Sequence, residues 1–145
     1  MAFLTRECGH PLHLRRWFGL VLTAIAWLIG STAVAQEPPA KLLYVVREGD
    51  TIVASNVLFS RSDTFRLTAQ ERVVSEVTDN AVLVVETNQR LIAYSVYTAS
   101  WLTMALRAGE SVEKVEAEDY SAFVLTDRRI LNFNGRNGVW SESDR

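Results

Sequence analysis

Residues 84–101 read VVETNQRLIAYSVYTASW, and residues 123–140 read FVLTDRRILNFNGRNGVW. At a spacing of 39 residues and without a gap, Val85 meets Val124, Thr87 meets Thr126, Arg90 meets Arg129 and Trp101 meets Trp140. Other pairs keep their chemistry: Asn88 with Asp127, Leu91 with Ile130, Ile92 with Leu131, Tyr94 with Phe133. A self-match of fixed period is the signature of stacked or ring-closed repeats, in which each unit buries its apolar face against the next.

Working outward from this stretch, each repeat breaks into short runs rich in Val, Ile, Thr and aromatics, divided by turn residues, as in all-β sandwiches, barrels and propellers. The middle repeat offers strands at 72–77, 81–86, 91–95 and 101–106. The third offers 112–116, 122–126, 130–133 and 139–141. The first is fainter and begins one strand late, with 42–46, 51–54 and 64–67. Its closing end still aligns, Leu67 with Leu106, Ala69 with Ala108, Glu71 with Glu110 and Val73 with Val112. Repeats at about 42–71, 72–110 and 111–145 therefore predict about eleven strands. The central hairpins place Gly49, Asn88 and Asp127 at one shared position, and these residue types tolerate the positive φ of two-residue hairpin turns.

Four-stranded repeats of this length resemble β-propeller blades, including the Ala…Trp blades of quinoprotein-like propellers, on Ala81 or Ala122 and Trp101 or Trp140. Three blades leave two open faces unless two chains combine into six. The alternative is a β-trefoil, which closes three four-stranded repeats in one chain. Residues 42–142 also resemble small exported bacterial proteins with repeats of the form VxTxxR…F/Y…W, here Val85–Arg90…Tyr94…Trp101 and Val124–Arg129…Phe133…Trp140. That resemblance implies export and blade architecture and no particular activity. Leu125-Thr-Asp-Arg-Arg-Ile130 is similar to a stretch of bacterial pleckstrin-like domains, but such domains end in a helix for which this chain has no candidate.

Residues 1–35 read as a signal peptide. Arg6, Arg15 and Arg16 form a basic n-region, Trp17 to Ile29 an apolar run, and Ala33-Val-Ala35 the small-x-small cleavage pattern. Residues 36–41 read as an extended linker to a β-repeat domain at 42–145. The alternative is an uncleaved N-terminal membrane anchor, since residues 17–35 are long enough to span a bilayer. Arg15-Arg16-Trp17-Phe18 resembles a twin-arginine signal, although Leu14 stands where Ser or Thr is usual. Gln36, not Cys, follows the cleavage point, which argues against a lipoprotein. The expected location is periplasmic or secreted.

Cleavage removes three of the 15 basic and one of the 17 acidic residues, leaving a net charge of −4. A mildly acidic chain with scattered positive charges is a poor partner for nucleic acid or anionic lipid. Cys8, His10 and His13, the chain's only cysteine and histidines, all precede residue 36. The mature chain thus has no disulfide, no thiolate or histidine catalysis, and no metal site built on His or Cys. No catalytic residue, metal site or cofactor is expected.

Two kinds of residue are candidates for binding. Trp101 and Trp140 could form a repeated platform for sugar rings or could pack between blades. Ser62 occupies the matching first-repeat position and breaks a repeated site. Arg90 and Arg129 could line a central opening for an anionic ligand or could pair with nearby carboxylates. The acidic stretch Glu113, Glu116, Glu118 and Asp119, with Asp79-Asn80 one repeat earlier, lacks any calcium-loop spacing. The expected function is a non-enzymatic interaction or assembly module, oligomerising as a homodimer, with a protein or glycan ligand. The alternatives are a lectin-like carbohydrate binder and, weakest, a carboxylate-based hydrolase.

Overall fold

The computed structural model describes residues 40–145. The expected signal segment and most of the linker lie outside the described residues. Eleven strands follow one another: β1 Leu43–Glu48, β2 Thr51–Asn56, β3 Arg61–Arg66, β4 Val73–Thr78, β5 Val82–Thr87, β6 Arg90–Ser95, β7 Ser100–Ala105, β8 Val112–Glu118, β9 Ser121–Thr126, β10 Arg129–Asn134 and β11 Val139–Asp144. They form three antiparallel meanders, β1–β3, β4–β7 and β8–β11, and all ladder pairing stays within a meander. This is the blade arrangement and not the barrel closure of a trefoil. The first sheet has three strands, not four. At the repeat spacing, the counterpart of β4 falls at residues 34–39, outside the described residues.

The sheets stack face to face because strand alternation gives each an apolar face to cover. Leu83, Val85, Ile92 and Tyr94 point from the middle sheet onto Leu43, Ile52, Ala54 and Leu67 of the first repeat. The alternate residues Val82, Val84, Leu91 and Ala93 point the other way, onto Ala122, Val124, Leu131 and Phe133 of the last sheet. We call the face toward the preceding sheet leading and the opposite face trailing. The middle strands β5 and β6, covered on both faces, are buried almost without interruption. By contrast, β2 and β9 alternate buried with partly exposed residues. The sequence does not mark this difference, since Ala122–Leu125 of β9 is as continuous an apolar run as Val82–Val85 of β5.

The repeat extends to the backbone. Val57 N–H, Val96 N–H and Gly135 N–H donate to Leu42 O, Ala81 O and Tyr120 O, one bond per repeat. Ser60, Ala99 and Gly138, also equivalent, all take positive φ, at 51°, 46° and 67°. Register shifts recur between Val73 and Ser75 and between Val112 and Lys114, so one bulge is conserved between the two complete sheets. The central hairpins differ from the expectation. Gly49 has φ of 62°, but Asn88 and Asp127 are not among the positive-φ residues. Their side chains serve another purpose: Asn88 Oδ1 accepts from Arg72 N–H at 2.8 Å, and Asp127 Oδ1 from Ser111 N–H at 3.0 Å. Each thus ties its hairpin to the connection that enters its own sheet.

Candidate functional site

The densest polar chemistry is a cluster built twice, at the hairpin end of the middle and last sheets. Strand β6 opens on Arg90 and β10 on Arg129, each three residues after the threonine that closes the preceding strand. The hydroxyls of Thr87 and Thr126 accept from the N–H groups of Arg90 and Arg129 and give their own single proton to a carboxylate oxygen 2.9 and 2.8 Å away. The inter-sheet connection then delivers a glutamate. Arg90 Nε meets Glu71 Oε1 and its second nitrogen meets Oε2, both at 2.8 Å. Arg129 grips Glu110 in the same fork at 2.8 and 2.9 Å.

Both glutamate side chains are fully buried, as is nearly all of Arg129, whereas Arg90 keeps 27% of its side chain exposed. The Arg90 guanidinium pulls Glu71 down against the opposing effect of burial. With the Thr68 N–H and Thr87 hydroxyl assisting, the carboxylate sits at about 2. Burial would raise Glu110, but Arg129, the Arg107 N–H and the Thr126 hydroxyl outweigh it and hold it at about 2 as well. Each arginine also reaches the preceding sheet. The Arg90 guanidinium lies 5.3 Å from the Phe65 ring centroid, and an Arg129 nitrogen donates to Ala105 O at 2.8 Å. Arg129 further pairs with Glu142 on β11. A fully paired, bidentate, buried carboxylate has no lone pairs left for a ligand or a proton transfer. Chemically the cluster is a lock between sheets.

The two tryptophans occupy equivalent, half-buried positions. Trp101 lies 5.3 Å from Phe65 and 4.9 Å from Tyr94, centroid to centroid, and Trp140 lies 5.1 Å from Phe133. Both indole N–H groups are buried without a partner. Tyr94 completes the first junction: its hydroxyl donates to Asp63 Oδ2 at 2.7 Å and accepts from Asn56 Nδ2 at 3.1 Å. Burial first, then the Asp63 carboxylate, push the phenol up to about 12.

The structure thus brings Arg90 together with Trp101 around Phe65, and sets Arg129 and Trp140 apart from that pair at the next junction. Sequence reasoning missed Glu71, Glu110, Thr87 and Thr126 as partners of the arginines. Their signal was present, since all four are matched in the 39-residue register.

Free surface of a different kind lies at the opposite end of the sheets. The β2–β3 turn exposes Val57, Leu58 and Phe59 in succession, at 47%, 49% and 52%. The equivalent turn of the middle sheet exposes Tyr97, and the β8–β9 turn exposes Tyr120, whose ring is capped by the Arg136 guanidinium at 4.0 Å. The trailing face of the last sheet carries a groove of about 360 Å³ lined by Ser121, Phe123, Asn132 and Asn134, among others.

The chain is a blade-type β-repeat protein. No family model matches it, and no curated protein does. Among solved structures it is similar to the N-terminal domain of Nup159, with a TM-score of 0.41 and 11% identity over 73% of this chain and 32% of that one. It is also similar to a chain in a Saccharomyces cerevisiae complex of Dbp5 bound to Nup159, Gle1, IP6 and ADP, with a TM-score of 0.38, 21% identity and coverage of 69% and 29%. The chain spans about a third of the length of these solved chains.

Proposed function

We propose that this chain is an exported, non-enzymatic interaction module that binds a partner protein through its turn rim. The observation that carries this reading is the run Val57-Leu58-Phe59, three consecutive exposed apolar residues on an ordered turn. Ser60 holds that turn at positive φ, and Asn56 Oδ1 accepts from Phe59 N–H at 3.2 Å. Contiguous apolar side chains held in water by a fixed backbone favour a protein partner that covers them. The buried polar clusters at the other end join sheet to sheet, which is the work of a scaffold. The signal-peptide reading supports a periplasmic or secreted location after cleavage following Ala35, in keeping with the resemblance to small exported bacterial proteins.

A carbohydrate ligand is the second reading, favoured by Tyr97 and Tyr120 on the same rim. A photoreactive residue at position 59, compared with one at position 88 on the opposite end, tests the first reading in the exported fraction. A discrete protein adduct at 59 and none at 88 is expected, on a chain that begins at Gln36. Adducts at neither position, together with glycan binding that Tyr97→Ala abolishes, would replace it with the carbohydrate reading.

A further inference from the structure

We propose that the trailing face of the last sheet binds the leading face of the first sheet of a second copy, so that two copies close a ring of six sheets. The two junctions inside the chain state the rule that a third would follow. At the first, the trailing positions Leu43, Ile52 and Ala54 meet the leading positions Leu83, Val85, Ile92 and Tyr94. At the second, the equivalents Val82, Leu91 and Ala93 meet Ala122, Val124, Leu131 and Phe133. Adding 39 once more, the trailing face of the last sheet presents Ser121, Ile130 and Asn132, with Phe123 and Leu125 beside them. Going back by 39, the leading face of the first sheet presents Tyr44, Val46, Val53 and Ser55. Among the described residues no other sheet covers either face; Lys41 Nζ lies 5.3 Å from the Tyr44 ring centroid, yet Tyr44 and Val46 stand 53% and 55% exposed.

Two details match the faces to each other. The leading cross-strand pairs are Leu83 with Tyr94 and Ala122 with Phe133. Each holds one large ring beside a smaller side chain. On the first sheet the pair is Tyr44 with Ser55, so the ring is again present, moved to the neighbouring strand. The groove beside Phe123, Asn132 and Asn134 is the space available to it. The second detail is a hydrogen bond. Asn56 Nδ2 donates across the first junction to Val96 O at 2.8 Å, and its equivalent Ser95 donates across the second to Gly135 O. The next donor in the series is Asn134. Its Oδ1 accepts from Arg136 N–H, while its amide nitrogen has no partner among the described residues. The acceptor in register is Val57 O of the second copy.

A contact between two different faces is heterologous and generates either a closed ring or an open filament. Propellers close with about four to eight blades. Two copies supply six and three would supply nine, so closure at two copies is the outcome the fold permits. This proposal goes beyond the function proposed above and does not use the turn rim, so the two fail separately.

The test is sedimentation analysis of the full chain purified from the exported fraction, across a concentration series. A two-copy mass is expected. Tyr44→Asp and Phe123→Asp should each weaken it by about 100-fold or more, with unchanged circular dichroism, since both side chains lie on faces that one copy leaves open. Val46→Lys repeats the test should Tyr44→Asp not fold. Mixing the two Asp variants should restore a two-copy species that neither forms alone. Asn134→Ala should weaken association about 10-fold, whereas Asn134→Ser, which installs the donor used at the second junction, should retain it. A monomeric wild type, an open-ended series of masses, or sensitivity to only one of the two Asp variants would overturn the proposal. The last of these would indicate an isologous contact or cover of the first sheet by residues 1–39.

Discussion

Glu110 shows how much of this chain's polar chemistry serves cohesion. Its carboxylate is fully buried and is gripped in a fork by a guanidinium that is itself 4% exposed. Removing one partner from such a pair leaves an unpaired buried charge, at a cost of about 3–5 kcal/mol. Arg129→Ala should therefore lower the unfolding free energy by about that much in urea titration, and more than Arg90→Ala, whose site admits water. The pair Arg129→Met with Glu110→Gln should recover part of the loss. The pH dependence follows from the same carboxylates. Both sit near 2 when folded, against an ordinary value of 4.5. Their contribution is complete above pH 4.5 and is lost as pH falls toward 2, where the unfolded chain takes up protons first. The shifts correspond to roughly 3 kcal/mol for each site. Acid titration followed by tryptophan fluorescence should show stability falling through this window, with a shallower fall in Glu110→Gln. The tryptophans separate ring from donor. Their N–H groups are buried without partners, so Trp140→Phe should change stability by about 1 kcal/mol or less, whereas Trp140→Ala should cost about 3–5 kcal/mol.

At the scale of elements, strands were far more legible than the reasons for their turns. All eleven strands were marked by apolar, β-branched or aromatic runs, although the polar, largely exposed stretches Arg61–Asp63 of β3 and Glu142–Asp144 of β11 fell outside those runs. The central turns were placed correctly, but for a reason that holds only at Gly49. Asn88 and Asp127 are selected for an oxygen that accepts from a residue 16 positions earlier, and no local rule exposes a bond of that span. A similar span, 19 positions, hid the Glu71 and Glu110 locks from a reading that stopped at the arginines. Gly135 is a comparable case. A Cβ there would stand 2.6 Å from Tyr120 O and 2.7 Å from Val82 Cγ2, although its φ lies outside the left-handed region. The position is one of close approach between the middle and last sheets, which only the folded stack reveals. Gly135→Ala should thus cost about 2 kcal/mol or more by thermal unfolding, through overpacking. Gly49→Ala meets nothing within 4 Å, so its loss, from positive φ alone, should be near 1 kcal/mol.

For the β-repeat unit as a whole, stability should follow position in the stack. Each sheet is a nearest neighbour only of the one before and the one after, so its opening free energy reflects how many of its faces are covered. The middle sheet is covered twice, with β5 and β6 buried nearly throughout. Among the described residues the outer sheets are each covered once within a copy, and the first has three strands where the others have four. Amide hydrogen exchange read by mass spectrometry should therefore be slowest in β5 and β6 and fastest in β1 and β3. Concentration supplies the discriminating variable. If the outer faces of two copies cover each other, raising the protein concentration through the association range should slow exchange in β1–β3 and β8–β11. Exchange in β5 and β6, whose neighbours do not change on association, should stay the same. A contact confined to the turn rim would instead slow the amides around Val57–Phe59 and Tyr97 and leave the faces untouched. The pattern of protection thus reads which surface of the scaffold is used, even before a partner is known.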